Sequence, residues 1–325
     1  MQTILVEIAA YRDDELPKTI ASALASAASP ERLHFAIVHQ YGPETEGQVA
    51  QYHHDNRFTI IERSWREARG VGVARAECDS LYTDEDFYLQ IDSHMRFESN
   101  WDERLIAQWR SCDDEHAIIS SYPPAFRYNP DGSELFIPSD PNRLIVHDMF
   151  MNKIPTFFGK ALLGNPTEPV RGAFAAGGLQ FGPGSRCKEV RYEPNICFIG
   201  EEVVHSLRLF AAGYRVYSLI DQPIHHLYIR SENQPNAYHF WQDFLADTEL
   251  TPIYHGMNSD SYAKVDQYLA GEAGVSKEIV REFENFCGVD FAKKKVHPRQ
   301  AETPLLPIAS DDSWREYAVA LTKFT

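Results

Sequence analysis

The sequence predicts an α/β protein with a mostly parallel central sheet. Short apolar runs at residues 4–9, 35–38, 59–61 and 87–91 are separated by longer polar stretches with helical character. This alternation is typical of parallel strands that are connected by helices. With 325 residues and 43% hydrophobic content, the chain can bury the large core that such a sheet requires.

The first apolar run begins a predicted strand–helix unit. The sequence reaches Glu7 too early for a signal peptide, so residues 1–8 favour a first core strand. Acidic residues and a proline at positions 13–17 are typical of a helix start. Alanine-rich residues 19–28 are expected to continue that helix.

Polar residues directly follow the first and fourth apolar runs. Tyr11 and Arg12 come after the first run, and residues 92–94 come after the fourth. In an open α/β sheet, ligands bind in the crevice at the carboxyl ends of the strands. We therefore expect both groups at one edge of the sheet, and a nucleotide-binding site in the first half of the chain.

The second half of the chain is less regular. Residues 122–184 are rich in proline and glycine, which predicts long functional loops over the sheet. A helix is predicted over residues 201–212, with Gly213 as its stop, and a strand-like stretch over residues 214–220.

Charge and composition argue against several classes of partner. The chain carries 31 basic and 47 acidic residues, and its net charge of -16 repels phosphate backbones and anionic lipid surfaces. No apolar run approaches the roughly 20 residues that cross a bilayer. The five cysteines are scattered without a Cys-x-x-Cys pair, which favours reduced thiols in a cytoplasmic protein. We expect neither nucleic acid nor a membrane as a partner.

The fourth apolar run ends in an Asp-x-His sequence that indicates a metal site. Asp92 and His94 are two residues apart, so both side chains project to the same side as the strand leaves the sheet. A carboxylate oxygen and an imidazole nitrogen together suit manganese better than calcium, which prefers oxygen ligands alone. The alternative interpretation is a loop aspartate beside a surface histidine.

Two later segments carry residue types that suit sugar binding. Gly177 and Gly178 allow the backbone to approach a sugar closely. Glu201 and Glu202 stand at the start of a predicted helix, where carboxylates can accept hydrogen bonds from sugar hydroxyls. Alternatively, this acidic pair only complements the dipole of the helix.

A histidine pair follows in a second strand-like stretch. With a period of two, His226 shares a face with Tyr228, which fits either a buried core histidine or a ligand. Together with Asp92 and His94, His226 would complete a metal site with open positions for two diphosphate oxygens. His225 is the substitute ligand to consider if His226 lies elsewhere.

In this order, the segments resemble one known family. The shared features are Asp-x-His at residues 92–94, Gly-Gly at 177–178, Gly-Glu-Glu with Ser-x-Arg-x-x-x-x-Gly-Tyr over 200–214, and His-x-Tyr-x-Arg at 226–230. The pattern is similar to that of the cytosolic polypeptide α-N-acetylglucosaminyltransferases that modify hydroxyproline. More distantly, it is similar to the polypeptide N-acetylgalactosaminyltransferases. The similarity extends over about residues 4–230, and residues 283–291 are similar to the C-terminal part of the family.

That resemblance implies a GT-A fold, which is Rossmann-like and binds nucleotide sugars. It implies retaining transfer from a UDP-sugar with Mn²⁺, or Mg²⁺, as the cofactor. UDP-GlcNAc is the implied donor, UDP-GalNAc is the second choice, and the acceptor is a serine, threonine or hydroxyproline hydroxyl of a polypeptide. The implied catalytic domain is residues 1–230, with a nucleotide-binding first half and an acceptor-side second half. Residues 231–325 would form a helical and loop extension packed on it.

The resemblance also implies roles for individual residues. The metal ligands would be Asp92, His94 and His226. The donor-binding residues would be Arg12, Arg75, Asp92, Gly177 and Gly178. The catalytic candidates would be Glu201 and Glu202, which match the segments that hold the donor sugar and the acceptor side.

The chain also departs from the family pattern, and these departures leave other functions open. An apolar stretch, residues 210–212, replaces a more polar turn before Gly213. Donor sugar and acceptor are therefore open. The first alternative is the same chemistry on a glycan, a lipid-linked acceptor or a small molecule. The second alternative is a GT-A scaffold that binds its ligand without turnover.

Overall fold

The computed structural model describes residues 2–150, 154–230, 238–300 and 306–320. Its strands, in chain order, are β1 (Ile4–Tyr11), β2 (Leu33–Tyr41), β3 (Phe58–Ser64), β4 (Phe87–Ile91), β5 (Met95–Phe97), β6 (Ala117–Ser120), β7 (Phe126–Tyr128), β8 (Glu134–Phe136), β9 (Asn142–Phe150), β10 (Ile154–Ala161), β11 (Val170–Arg171), β12 (Leu179–Pro183), β13 (Arg215–Ser218), β14 (Ile224–His226), β15 (Val289–Asp290) and β16 (Lys295–Val296). Its α-helices are α1 (Leu16–Ser26), α2 (Val71–Ser80), α3 (Trp101–Ser111), α4 (Arg186–Glu189), α5 (Glu201–Ala211), α6 (Phe240–Ala246), α7 (Thr251–Leu269) and α8 (Lys277–Cys287).

Eight of these strands form the central sheet, in the order β11-β13-β6-β12-β4-β1-β2-β3. Strands β4, β1, β2 and β3 are parallel to one another, and β13 is parallel to β6. Only β12 and β11 run antiparallel to their neighbours in this sheet. The predicted α/β fold with a mostly parallel sheet is therefore confirmed.

The core explains why the first strands carry apolar residues on both of their faces. Val6 and Ile8 of β1 pack in one cluster with Ile20 of α1, whereas Leu5 packs on the other face of the sheet with Ala74 of α2. A parallel strand that is covered on both faces needs apolar residues at successive positions. The four predicted strands are confirmed as β1 to β4, and the first predicted helix is confirmed as α1.

Residues 122–184 contain more regular structure than their proline and glycine content predicts. Strands β9 and β10 form an antiparallel hairpin, and β12 lies inside the central sheet between β4 and β6. Gly182 of β12 marks a close approach, because a Cβ atom there would lie 2.5 Å from Ile118 Cδ1. Strands β7 to β12 thus interrupt the predicted loops, and Gly182 serves packing within the sheet.

The C-terminal part packs on the second half of the chain. Val203 and Leu207 of α5 share a buried cluster with Val265 of α7 and Phe283 of α8. Residues 231–237, which belong to the predicted extension, lie outside the described residues. Among the residues that the structure describes, no helix is both long enough and apolar enough to span a membrane.

Candidate functional site

The candidate site lies where β1, β4 and β14 come together. The register of the parallel pair places Ile8 of β1 beside Ile91 of β4, so the residues that follow these strands lie at one edge of the sheet. Strand β14 pairs with β5, and this pairing places His226 opposite Met95, next to His94. The backbone N–H of Leu227 also donates to the carbonyl of His94, at 3.1 Å.

The three residues predicted as metal ligands lie together at this edge. His226 Nε2 lies 3.0 Å from His94 Nε2 and 3.3 Å from Asp92 Oδ2. One ligand atom from each of the three residues lies within 4.8 Å of the others. His225 points elsewhere, because its Nε2 contacts Glu98 Oε1 at 2.8 Å. The structure therefore brings together the preferred set and not the substitute histidine.

Burial and neighbouring charges shift the pKa values in this cluster. Burial raises the pKa of Asp92, but the hydrogen bond from His226 and the charge of Arg75 outweigh it and hold that pKa well below its usual range. Burial lowers the pKa of His94, yet its hydrogen bond to Asp13 leaves that pKa raised. For His226 burial prevails, and its pKa is lowered.

The donor set fits a divalent cation. Two ligands at right angles, each about 2.1 Å from a metal ion, lie about 3 Å apart. The distances from His226 Nε2 to His94 and Asp92, 3.0 and 3.3 Å, match such adjacent positions. Two imidazole nitrogens and one carboxylate suit a first-row transition metal. The three residues therefore suit manganese both in ligand type and in spacing.

A second cluster of acidic residues lies in the core beside a buried arginine. Glu7, Asp79 and Cys187 also lie within 4.8 Å of one another. Arg186, which is fully buried, pairs with Glu7 at 3.0 Å and with Asp79 at 2.5 Å. A guanidinium already offsets these carboxylates, so this cluster is a buried ion network inside the core.

Arg75 of α2 connects the three-residue cluster to the predicted catalytic glutamates. Its Nη2 lies 3.3 Å from Asp92 Oδ1, and its Nη1 lies 3.0 Å from Glu201 Oε1. Burial lowers the pKa of Arg75, but Glu201, Tyr192 and Asp92 outweigh that effect and raise it. Glu201 Oε2 is buried without a hydrogen-bond partner in the described part of the chain. This oxygen is free to accept a hydrogen bond from a ligand.

Glu202 has a different environment from its neighbour. Gly177 N donates to Glu202 Oε1 at 2.8 Å, and the Tyr122 hydroxyl lies 3.2 and 3.1 Å from its two carboxylate oxygens. Burial, followed by the charge of Glu201, raises the pKa of Glu202 to about 8. Its surroundings therefore favour the protonated form of Glu202.

The two predicted donor-binding glycines pack directly against these side chains. A Cβ atom on Gly177 would lie 2.4 Å from Glu201 Oε1, and one on Gly178 would lie 2.6 Å from Asp92 Oδ2. Real side chains do not tolerate such contacts, so Asp92 and Glu201 can occupy their positions only beside glycine. The glycine pair thus leaves the space that the Asp92 and Glu201 side chains occupy.

Arg12 lines the site but has several protein partners of its own. Its Nε lies 2.7 Å from Glu44 Oε1, and its Nη1 lies 2.9 Å from Asp243 Oδ2. The guanidinium also lies 3.7 Å from the ring centroid of Tyr238. Two carboxylates already offset its charge, so Arg12 is held as part of a wall that joins β1 to α6.

Two cavities meet at the three-residue cluster. The strand-end cavity, about 710 Å³, lies at the ends of β1 and β4 and is lined by Arg12, Asp13, His94, Arg230 and Tyr238 among others. The carboxylate cavity, about 380 Å³, is lined by Arg75, Tyr122, Gly177, Gly178, Glu201 and Glu202 among others. Asp92, His226 and Tyr228 line both. A ligand that occupied both cavities would pass directly over Asp92 and His226.

Sequence reasoning missed several polar residues that support the site. Asp13 contacts His94, although its acidic run was interpreted only as a helix start. The buried Tyr192 hydroxyl accepts hydrogen bonds from Gln90 and Gln180, at 3.1 and 3.0 Å, and lies 3.4 Å from Arg75 Nη1. The position of Asp13 could have predicted its role, since an acidic residue after the first strand lies at the edge of the sheet where ligands bind. No sequence feature could have predicted the role of Tyr192, because its loop carries no periodic pattern.

Comparisons with known proteins identify the family and the fold of the chain. A family model described as glycosyltransferase (GlcNAc) matches residues 3–55 and 44–285. A search of curated proteins finds no match. Among solved structures, GalNAc-T7 with UDP, GalNAc and Mn²⁺ is similar, with a TM-score of 0.57, 15% sequence identity and coverage of 87% of this chain. The chain spans about half of that structure, 54% of its length.

A second solved structure, residues 1–349 of TarS from S. aureus, is also similar. Its TM-score is 0.51 at 12% identity, with coverage of 87% of this chain and 71% of that chain. These likenesses show a shared GT-A fold, consistent with the mostly parallel sheet. The family model matches far more than half of the sequence. The chain therefore belongs to the glycosyltransferase (GlcNAc) family and has the GT-A fold.

Proposed function

We propose that the protein is a retaining, metal-dependent glycosyltransferase that moves N-acetylglucosamine, or N-acetylgalactosamine, from a UDP-sugar to a hydroxyl of a polypeptide. The observation that carries this proposal is the meeting of two cavities at Asp92 and His226. A nucleotide sugar has a nucleoside at one end, a sugar at the other and a diphosphate between them. The two cavities and the cluster between them match this order.

Asp92, His94 and His226 would hold the cation, Mn²⁺ or Mg²⁺, at the junction of the cavities. When bound, the cation would anchor the diphosphate and offset its charge as it leaves. GalNAc-T7, which shares the fold, has been solved with UDP, GalNAc and Mn²⁺. The pair of imidazoles favours Mn²⁺ over Mg²⁺, because Mg²⁺ prefers oxygen ligands.

The nucleoside would occupy the strand-end cavity. The parallel strands β1 and β4 end there, and in open α/β sheets this edge is the usual place for a nucleotide. Arg12 would shape the wall beside the nucleotide without pairing with a phosphate, since Glu44 and Asp243 already offset its charge. The cavity's volume of about 710 Å³ is in the range of small-molecule sites.

The sugar would occupy the carboxylate cavity. Glu201 Oε2 is buried and has no protein hydrogen-bond partner among the described residues, so it can accept a hydrogen bond from a sugar hydroxyl. Arg75 is fixed between Asp92 and Glu201 and places positive charge beside the sugar–diphosphate bond. Glu202 would support the acceptor side through Tyr122 and the backbone of Gly177.

The chemical step would need positioning and charge stabilisation more than a protein base. The acceptor oxygen would bond to the anomeric carbon as the bond from that carbon to the diphosphate oxygen breaks. In a retaining front-face reaction, the departing phosphate would take the acceptor proton. Arg75 would offset the charge that develops on the diphosphate. No side chain is assigned as a general base.

The experiment incubates the full chain with Mn²⁺ and a panel of UDP-GlcNAc, UDP-GalNAc, UDP-glucose and GDP-mannose. Peptides that contain serine, threonine or hydroxyproline and a panel of oligosaccharides serve as acceptors, and intact-mass analysis detects transfer. We expect UDP-GlcNAc to be the best donor, UDP-GalNAc the second and a peptide the acceptor. Transfer to oligosaccharides alone would correct the acceptor. Neither transfer nor hydrolysis of any UDP-sugar would indicate a scaffold that only binds.

A further inference from the structure

We propose that Asp13 is a positioning residue that orients His94 in the metal site, and that Arg230 holds Asp13 in place. This inference rests on the proposed metal site, but it concerns two residues outside the three-residue cluster. Asp13 lies in the turn between β1 and α1, and Arg230 follows β14. Asp13 thus links His94 to the segment that carries His226, since it contacts both His94 and Arg230.

The Asp13 carboxylate is buried and receives hydrogen bonds on both oxygens. Its Oδ2 accepts from the Ser93 hydroxyl at 2.6 Å and lies 2.6 Å from His94 Nδ1. Its Oδ1 accepts from Arg230 Nη2 at 2.6 Å and from Glu15 N at 3.0 Å. A carboxylate that is surrounded by donors can act only as an acceptor. The ring of His94 is therefore held by a fixed partner.

This contact determines which nitrogen of His94 faces the cluster. Because Asp13 accepts a hydrogen bond from Nδ1, the proton of a neutral His94 ring lies on Nδ1. The lone pair of Nε2 then points towards His226 Nε2, 3.0 Å away. A histidine that binds a metal through one nitrogen usually donates its other N–H to a carboxylate or carbonyl group. Asp13 supplies that carboxylate here.

Arg230 explains how a buried carboxylate can perform this role. Its guanidinium pairs with Asp13 and also with Asp14, so the charge of Asp13 is offset locally. The contribution of Asp13 is thus orientation of the ring rather than added negative charge at the metal. Arg230 lies four residues after His226, so one short segment provides one histidine and fixes the partner of the other.

The test compares Asp13→Asn with Asp14→Asn, which removes the same charge from the neighbouring residue. Asp14 pairs with Arg230, but it is not among the groups that contact His94 in the described structure. Binding of Mn²⁺ alone is measured by electron paramagnetic resonance. We expect Asp13→Asn to weaken Mn²⁺ binding by about 10–100-fold, as for other outer partners of ligating histidines. We expect Asp14→Asn to stay within about threefold, because its charge is partly exposed and screened.

Long-range ¹H–¹⁵N NMR of histidine-labelled protein without metal reports which ring nitrogen of His94 carries the proton. A general loss of stability would not change this tautomer. At a pH where the ring is neutral, wild-type His94 should carry its proton on Nδ1. Asp13→Asn should lose this preference or mix the two tautomers. Asp14→Asn should keep it.

If Asp13→Asn fails to fold in thermal melting, Ser93→Ala provides the same test by removing one hydrogen bond to Asp13 Oδ2. We then expect a smaller loss of Mn²⁺ affinity and a partial tautomer shift. Wild-type affinity and tautomer in Asp13→Asn, or in Ser93→Ala where Asp13→Asn does not fold, would overturn the role of Asp13. Wild-type protein that binds no Mn²⁺ would overturn the metal site, and this role with it.

Discussion

His226 Nε2 lies 3.0 Å from His94 Nε2, although 132 positions separate the two residues in the sequence. Two neutral imidazoles that direct lone pairs at each other repel, so this approach needs a shared proton or a shared cation. Asp13 occupies the other nitrogen of His94, and Asp92 lies 3.3 Å from the same nitrogen of His226. Without metal, a proton on His226 Nε2 meets this need, and in the proposed metal site a cation held by both nitrogens would replace that proton.

His226→Gln should abolish measurable Mn²⁺ binding, because it removes an imidazole from the cluster. The matched control is His225→Gln, which changes the same residue type one position earlier. His225 contacts Glu98 and packs against Phe136, away from the cluster. We expect the control to keep Mn²⁺ affinity and to cost about 1 kcal/mol of stability. Calorimetric titration measures the Mn²⁺ affinity of both variants, and urea unfolding measures their stability. Wild-type affinity in both variants would mean that His226 is not a ligand.

Gly178→Ala should reduce function much more than stability. Its new Cβ would lie 2.6 Å from Asp92 Oδ2, so the carboxylate must move away from His226 and Arg75. We expect Mn²⁺ binding to weaken by about 10-fold or more, whereas the free energy of unfolding should fall by about 1–2 kcal/mol.

Gly256→Ala is the control for that substitution. Gly256 lies in α7, and a Cβ atom there meets nothing within 4 Å. We expect this change to stabilise the protein by about 0.5–1 kcal/mol and to leave Mn²⁺ binding unchanged. Urea unfolding and Mn²⁺ titration of both variants provide the measurements. Wild-type Mn²⁺ affinity in Gly178→Ala would contradict the account.

Glu202 should make stability depend on pH. Its pKa is raised from 4.5 to about 8 in the folded protein, mainly by burial. The unfolded chain therefore loses this proton before the folded chain does, and stability falls as pH rises from about 4.5 to about 8. Glu202→Gln cannot ionise, so this decrease should be smaller in the variant.

Thermal melting of both proteins at pH 5 and pH 8 measures the effect. The melting temperature of Glu202→Gln relative to wild type should be higher at pH 8 than at pH 5. Glutamine preserves an oxygen that can accept from Gly177 N, so the hydrogen bond at the helix start is retained. An identical difference at both pH values would show that Glu202 ionises normally.

The sequence was most informative where local pattern and burial agree. Short, mostly apolar runs predicted β1 and β4, because both faces of a parallel strand are covered. The spacing of Asp92 and His94 then placed both at a strand end, where the chain turns out of the sheet. The imidazole of His226 and the order of the segments along the chain were enough to include His226 in the predicted metal site.

The rest depends on contacts that no local pattern encodes. The sequence indicates a sugar-facing role for Gly178, but glycine is required there because the Asp92 side chain lies where a Cβ atom would be, as Ile118 does at Gly182. The pKa of Glu202 depends on its burial and on Glu201 once the helix is packed. Asp13 acts through His94, 81 residues away, and only the assembled sheet edge brings them together.

The most direct test of a metal-dependent glycosyltransferase is release of UDP from UDP-GlcNAc by wild-type protein and by Asp92→Asn. The two proteins are compared with Mn²⁺ and with EDTA, and thermal melting establishes that both are folded. We predict turnover by wild type with Mn²⁺, a loss of at least about 100-fold in Asp92→Asn or with EDTA, and stabilisation by UDP plus Mn²⁺ in wild type only. Equal turnover and equal stabilisation in the folded variant would contradict the placement of the metal and the mechanism that depends on it.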